Sequence, residues 1–378
     1  MARDGSEVVA VEGRVYRCEV PEPFGYAKGF ISARESGVAR IVTADGTVGW
    51  GEAYAPADLA AALIDALGHH FRGRSAFERG VVARERAREV VGVSGGAPVA
   101  AALSALSVAA ADAAGKLAGK PLWAVLGGAS RPRLRAYASA LWFRQAEDPT
   151  AHYGAAISRA REQGFEAVKA KIGSGVEADR RAIDRMRVAG DGMVLLADAN
   201  QAYAPAAAAE IAAAAAAAGL GWLEEPLAPD RLGDYAALRA AAQIPIAGGE
   251  TVVSLPDARR WIDAAAVDIL QPDLCLAGGL DAAVSISDAS MDSDVVITPH
   301  CYGLGLGLAA SLHWASVIAA AAPESGAVWI EVDTAPHPAR DALLAGCGWF
   351  GDGGSRIEVP NAPGIGVDLE RIAGFRAR

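Results

Sequence analysis

Charged motifs recur along the chain, each at the end of a short apolar run. Lys169-Ala170-Lys171 follows one such run, Asp198-Ala199-Asn200 the next, then Glu224-Glu225-Pro226 and Gly249-Glu250. Asp273, His300 and Glu331 close three further runs in the same way. Asp198, Glu224 and Glu250 offer oxygen ligands alone, which suits Mg²⁺ with positions left for water or substrate and makes zinc a poor match. Lys169 and Lys171 have a period of two, so both side chains leave the same face of a strand. Two amines that close lower each other's pKa, which predicts that one serves as a base near neutral pH. A carboxylate such as Asp273 can hold one nitrogen of His300 and leave the other aimed at a substrate. Taken singly, each acid also fits a solvated strand end or a helix cap, and the lysines fit a surface loop. Together they suit removal of the weakly acidic proton beside a carboxylate, where the developing second negative charge must be neutralised.

Such residues converge only if the runs are neighbouring parallel strands. From about Leu134 onward, segments 134–140, 167–172, 194–197, 222–224, 246–248, 269–271, 295–298 and 328–331 read as strands. Alanine-rich helical stretches such as 179–188 and 206–218 lie between them. Strand and helix in alternation predict parallel βαβ units. Eight of them fit a (β/α)₈ barrel of about 250 residues, whose active site lies at the C-terminal ends of the strands. Upstream, segments 8–20, 38–43 and 48–52 read as strands and 84–91 and 98–117 as helices. Pro21, Pro23 and Gly25 mark a loop, and Asp45-Gly46 marks a hairpin turn. The fold class is therefore α/β: an α+β capping domain over 1–130, a barrel over 131–335, and a proline-rich segment over 336–378 that packs back on the cap.

The chain has 378 residues, is 52% hydrophobic and 21% charged, and carries a formal net charge of −10. That balance excludes a general polyanion binder and so argues against nucleic acid as a partner. An anionic small molecule would need a local positive field. Cys18, Cys275, Cys301 and Cys347 form no CxxC pair, so a disulfide framework or zinc cluster is not expected. The first residues lack the apolar core of a signal peptide, and the run 211–223 is shorter than the ~20 residues of a membrane span. A cytoplasmic protein without a membrane partner is expected.

The ordered set of motifs resembles the enolase superfamily, and within it the mandelate racemase subgroup. The resemblance covers nearly the whole chain: "GKPLWAVLGG" leading into "LRAYAS", then "AVKAKIG", "ADAN", "WLEEPL", "IAGGET", "QPDLCLAGG", "TPH" and "WIE". It implies an enolase-like modified barrel in which Asp198, Glu224 and Glu250 bind Mg²⁺ and the metal holds a substrate carboxylate. It further implies Lys171 as one acid/base group, tuned by Lys169, and His300 with Asp273 as the other on the opposite face. Glu331 would donate a hydrogen bond to the enolate oxygen, and Asn200 would contact substrate. The segment Asp273-Leu274-Cys275-Leu276 lacks the lysine of muconate-cycloisomerase-like members, and Glu250 stands where glucarate-dehydratase-like members have asparagine.

Most of that subgroup resembles acid sugar dehydratases, which implies dehydration of an acid sugar to a 2-keto-3-deoxy acid. Racemisation or epimerisation of a 2-hydroxy acid uses the same two bases and stays open. So does the choice of Lys171 or His300 as the group that takes the proton. A noncatalytic binding barrel would be expected to lose a lysine, the histidine or a metal ligand, and none is lost. Residues 22–28 and 52–56 are candidate lid segments, from which Lys28 and Tyr54 would reach substrate; solvent-facing loop residues fit them equally. The resemblance also implies a homo-oligomer.

Overall fold

The computed structural model describes residues 5–86, 96–321, 328–350 and 353–377. Its N-terminal part is a sheet in the order β3-β2-β1-β5, formed by β1 (Val8–Tyr26), β2 (Gly29–Thr43), β3 (Val48–Ala53) and, from the next domain, β5 (Phe143–Arg144). All its pairings are antiparallel, and Val42 pairs with Val48 across the Asp45-Gly46 turn as the sequence predicts. The loop expected at Pro21, Pro23 and Gly25 is instead strand. The β1–β2 register shifts between Glu19 and Phe24, and this irregularity absorbs two residues that have no N–H to donate. The hairpin therefore reaches on to a tip at Ala27-Lys28, over the mouth of the second domain.

Helix Ala97–Ala118 packs across β3. A Cβ at Gly49 or Gly51 would come within 2.0 Å of the Ala109 or Ala105 carbonyl oxygen, so only glycine lets the helix approach so closely. This helix is long and apolar enough to cross a membrane, but 89% of its most apolar window is buried inside the protein. It carries the buried Asp112, which accepts N–H groups from Trp50 at 2.9 Å and Ile365 at 2.8 Å. Of the helix expected over 84–91, residues up to Arg86 belong to helix Arg79–Arg86, and 87–91 lie outside the described residues.

The second sheet is parallel and curled. Its strands are β4 (Arg133–Leu141), β6 (Ala167–Lys171), β7 (Val194–Asp198), β8 (Trp222–Glu224), β9 (Ile246–Gly248), β10 (Ile269–Leu270), β11 (Val296–Ile297) and β12 (Trp329–Asp333). They run in the order β11-β10-β9-β8-β7-β6-β4-β12. Each strand from β4 to β11 is followed by a helix on the outside. β12 is followed only by the seven-residue helix Pro338–Leu344, which packs on β1. The barrel is thus of the modified, enolase-like kind. β13 (Arg356–Glu358) adds antiparallel to β4, and Ala377 N–H donates to the Val15 carbonyl at 2.8 Å.

Alternation along the strands divides the core. Val168, Ala170, Leu195 and Ala197 face outward into the large cluster beneath the helices, whereas Tyr137, Ala167, Leu196, Trp222 and Ala247 fill the barrel's interior. His313, on helix Leu306–Ala321, is fully buried, and burial lowers its pKa to about 4. It is neutral in the fold, whereas an unfolded imidazole takes up a proton below about pH 6.5. Its contribution is therefore complete above pH 6.5 and is lost as pH falls towards 4. His313→Gln is expected to flatten the slope of stability against pH between 6.5 and 5, measured by urea unfolding with Mg²⁺ present throughout. An unchanged slope would contradict the buried neutral state.

Candidate active site

All five residues of β6 are buried, and its period of two turns Lys169 and Lys171 into the barrel. Register does the rest: Lys171 pairs with Asp198 on β7, and Asp198 pairs with Glu224 on β8. Glu250 joins from the turn after β9, where Gly249 has φ +101°. Asn200, Gln201 and Glu225 hold left-handed φ values of 42°, 67° and 42°, a concentration of backbone strain of the sort that marks functional sites.

Asp198, Glu224 and Glu250 are buried, and each offers a carboxylate oxygen within 4.8 Å of the others. Lys171 Nζ lies 2.5 Å from Asp198, and Lys169 Nζ lies 2.7 Å from Glu224 and 2.8 Å from Glu331. Gln271, at the end of β10, donates to Glu224 at 2.8 Å. Around this cluster the buried side-chain oxygens Asn200 Oδ1, Glu225 Oε1 and Gln271 Oε1 have no partner. Converging hard oxygens with orphaned acceptors around them fit a hydrated divalent cation such as Mg²⁺.

Asp273 and His300 form an isolated parallel bridge beyond β10 and β11, and His300 Nδ1 lies 2.7 Å from Asp273 Oδ2. The other nitrogen, Nε2, faces Glu250 at 3.4 Å. The histidine and the lysine pair thus approach one carboxylate cluster from well-separated strands.

Electrostatics alters two expectations. Burial pushes both lysines towards neutrality, and Lys169 lowers Lys171 further, but Glu224 and Glu331 lift Lys169 well above the ordinary amine value and Asp198 lifts Lys171 above it. The like-charge effect is real but outweighed, so without a metal both amines are protonated. Glu331 differs as well. Burial opposes its ionisation, yet Lys169, His300 and Lys171 hold it below the usual carboxylate range, so it stands as an acceptor, not a donor. Burial raises Glu224 to about 7. For His300, burial works downward, but Glu250, Asp273 and Glu331 together carry it up to about 10.

The capping domain closes over this cluster. Tyr54 is packed on the His300 ring at 5.3 Å between centroids, and its hydroxyl lies 3.4 Å from Glu250. Lys28, at the hairpin tip, is exposed and donates to Gln201 Oε1 at 2.7 Å, and Gln201 donates on to Glu225 at 2.9 Å. Several residues at the mouth escape sequence reasoning. Lys171 Nζ sits 4.7 Å from the Trp142 ring and 5.9 Å from Tyr26, while Tyr302 faces both Tyr54 and Trp142. The buried Arg34 of β2 lies over Tyr302 and donates to Asp333 at 2.7 Å. Gln271 was within reach, since it precedes Pro272-Asp273; the aromatic residues carry no such signal.

The sequence pattern of the "Enolase C-terminal domain-like" family matches residues 152–373. That of the "Mandelate racemase / muconate lactonizing enzyme, N-terminal domain" matches residues 10–127. The chain belongs to the enolase superfamily, in its mandelate racemase/muconate lactonizing enzyme branch. Among relatives, the D-galactarolactone cycloisomerase of Agrobacterium fabrum is 33% identical over 97% of this chain and 97% of its own. The arabinonate dehydratase of Saccharolobus solfataricus is 27% identical over 71% of this chain and 70% of its own. Among solved structures, the 3,6-anhydro-D-galactonate cycloisomerase from Zobellia galactanivorans superposes with a TM-score of 0.85 at 29% identity, covering 99% of this chain and 100% of that one. For a member of this superfamily, the curled parallel sheet beneath an α+β cap is the shared architecture, and its mixture of dehydratases and cycloisomerases frames the choice of reaction.

Proposed function

We propose that the protein is a Mg²⁺-dependent enzyme that removes the proton α to the carboxylate of a sugar acid and then expels the oxygen β to it. The observation that carries this reading is the convergence of Lys171 and the Asp273–His300 pair on one buried carboxylate cluster. Held by Asp198, Glu224 and Glu250, Mg²⁺ would neutralise the substrate carboxylate and the charge that develops on it.

The chain's own groups supply the rest. Lys171, once its ion pair with Asp198 is relieved, is the group placed to take the α-proton. Lys169 keeps its charge and adds to the positive field that an acidic protein otherwise lacks. His300, protonated and oriented by Asp273, is placed to give a proton to the departing oxygen. An anionic substrate raises Glu331, the change that would let it donate a hydrogen bond. Asn200, with its free oxygen, is positioned to accept from a substrate hydroxyl.

A free β-hydroxyl leaves as water, whereas a ring oxygen stays in the product. We favour a ring-bearing substrate, so that the overall change is an isomerisation. The two cycloisomerases align over nearly their full length. The aromatic mouth of Tyr26, Tyr54, Trp142 and Tyr302 also suits the faces of a compact ring. Dehydration of an open-chain acid is the second reading, supported by the dehydratases among the relatives.

Incubation with Mg²⁺ in D₂O, using sugar lactone acids, anhydro-sugar acids and open-chain acids, separates these readings by mass and proton NMR. A product of unchanged mass apart from deuterium, with its ring opened, is the expected result. Loss of one water selects dehydration, and inversion with deuterium uptake selects a racemase or epimerase. Retention of the α-proton in every acid would end the proposal. Lys28→Ala is expected to raise KM by about 2- to 5-fold with kcat held, the scale of one exposed charged contact. An unchanged KM would remove Lys28 from the substrate's surroundings.

A further inference from the structure

The end of β3 touches both loops that carry the histidine–aspartate pair. Tyr54 N–H donates to the Cys275 carbonyl at 3.0 Å. Cys275 N–H in turn donates to Asp273 Oδ1 at 2.7 Å. On the histidine side, Glu52 is a carboxylate only 3% exposed, brought from the cap into the barrel. It accepts the Leu304 N–H at 2.5 Å, the Gly307 N–H at 3.0 Å and the Ser36 hydroxyl at 2.8 Å. Leu304 lies on the turn running from His300 into helix Leu306–Ala321, and Gly307 lies in the first turn of that helix. The fit leaves no slack: a Cβ at Gly303, where φ is +144°, would fall 2.2 Å from Glu52 Oε1.

We propose that Glu52 is a positioning residue for catalysis: by holding the Leu304 and Gly307 amides it sets the His300 ring against Asp273. The capping domain then takes part in the reaction through the histidine–aspartate pair as well as by covering the mouth. This rests on the reading of His300 as an acid/base group.

Glu52→Gln keeps the shape but turns an amide nitrogen towards a backbone donor. It is expected to lower kcat by about 10- to 100-fold, the equivalent of one or two charge-assisted hydrogen bonds. KM should stay within about 2-fold, because the substrate's own contacts are untouched. Mg²⁺ affinity, measured by calorimetry, should not move. The deciding measurement repeats the substitution in a His300→Asn background and follows residual α-proton exchange in D₂O. There Glu52→Gln should cost nothing further, since the group it positions is gone. An equal further loss would show a general structural role and overturn the proposal, as would a kcat within 2-fold of the parent. If His300→Asn itself turns over normally, the acid/base reading fails first. Should Glu52→Gln not fold by circular dichroism, Glu52→Asp carries the same cycle, shortened by one methylene but with its charge kept.

Discussion

Lys171→Met is expected to lower kcat by about 10³- to 10⁴-fold and to abolish α-proton exchange with D₂O, the loss that follows removal of a positioned base. The loss should not come from the metal site. In the metal-free protein Lys171 competes for Asp198, at 2.5 Å, so removing its ammonium leaves Mg²⁺ affinity equal or higher. Calorimetric titration of the variant with Mg²⁺ therefore separates lost chemistry from lost metal. His300→Asn is the counterpart. Turnover should fall comparably, because the departing oxygen loses its proton donor, while Lys171 still exchanges the α-proton. Exchange that persists in Lys171→Met and vanishes in His300→Asn would reverse the two roles. Exchange surviving both would remove both residues from the reaction.

Lys169→Met should produce the largest change in stability. Its side chain is 1% exposed, and Nζ lies 2.7 Å from Glu224, 2.8 Å from Glu331 and 4.0 Å from Asp198, with the Tyr137 ring centroid 5.3 Å away. Methionine fills much of the volume but leaves buried carboxylates facing one another. Breaking a buried ion pair from one side costs about 3–5 kcal/mol. The penalty should depend on pH in a definite direction. Glu224 already sits near 7 through burial, and loss of Lys169 carries it higher. A carboxyl with a raised folded pKa binds its proton more readily folded than unfolded, so the fold loses stability as pH rises through that value. Urea unfolding in EDTA should therefore show a larger deficit at pH 8 than at pH 6. Added Mg²⁺ should recover part of it, because the ion binds the folded cluster and neutralises it. A variant as stable as its parent at pH 8 in EDTA would mean that Lys169 does not carry the charge balance of the barrel.

The strands that build the site were legible because each is a local pattern. β8 and β9 lie where the apolar runs place them, and the others differ by a residue or two at their ends. Alternation then turns Lys169, Lys171, Asp198 and Glu224 to the same interior. The hairpin over the mouth was less legible, because Pro21 and Pro23 signal a break by their missing N–H groups. Only the partner strand, shifting register beside them, keeps β1 continuous.

The residue types and the period along each strand determined which side chains enter the barrel, and that several carboxylates, two amines and one imidazole share an end of it. What they do to one another was settled only in three dimensions. The like-charge argument for the lysines is sound for two amines alone, yet Asp198, Glu224 and Glu331 outweigh it at contact distance, because charge interactions in a buried site depend on every neighbour. The same holds for the aromatic mouth, the Arg34–Asp333 pair and Glu52 against the His300 loop. The last two join residues some 250 to 300 positions apart. A strand's periodicity acts over a few residues, whereas contacts between domains depend on how two finished surfaces meet.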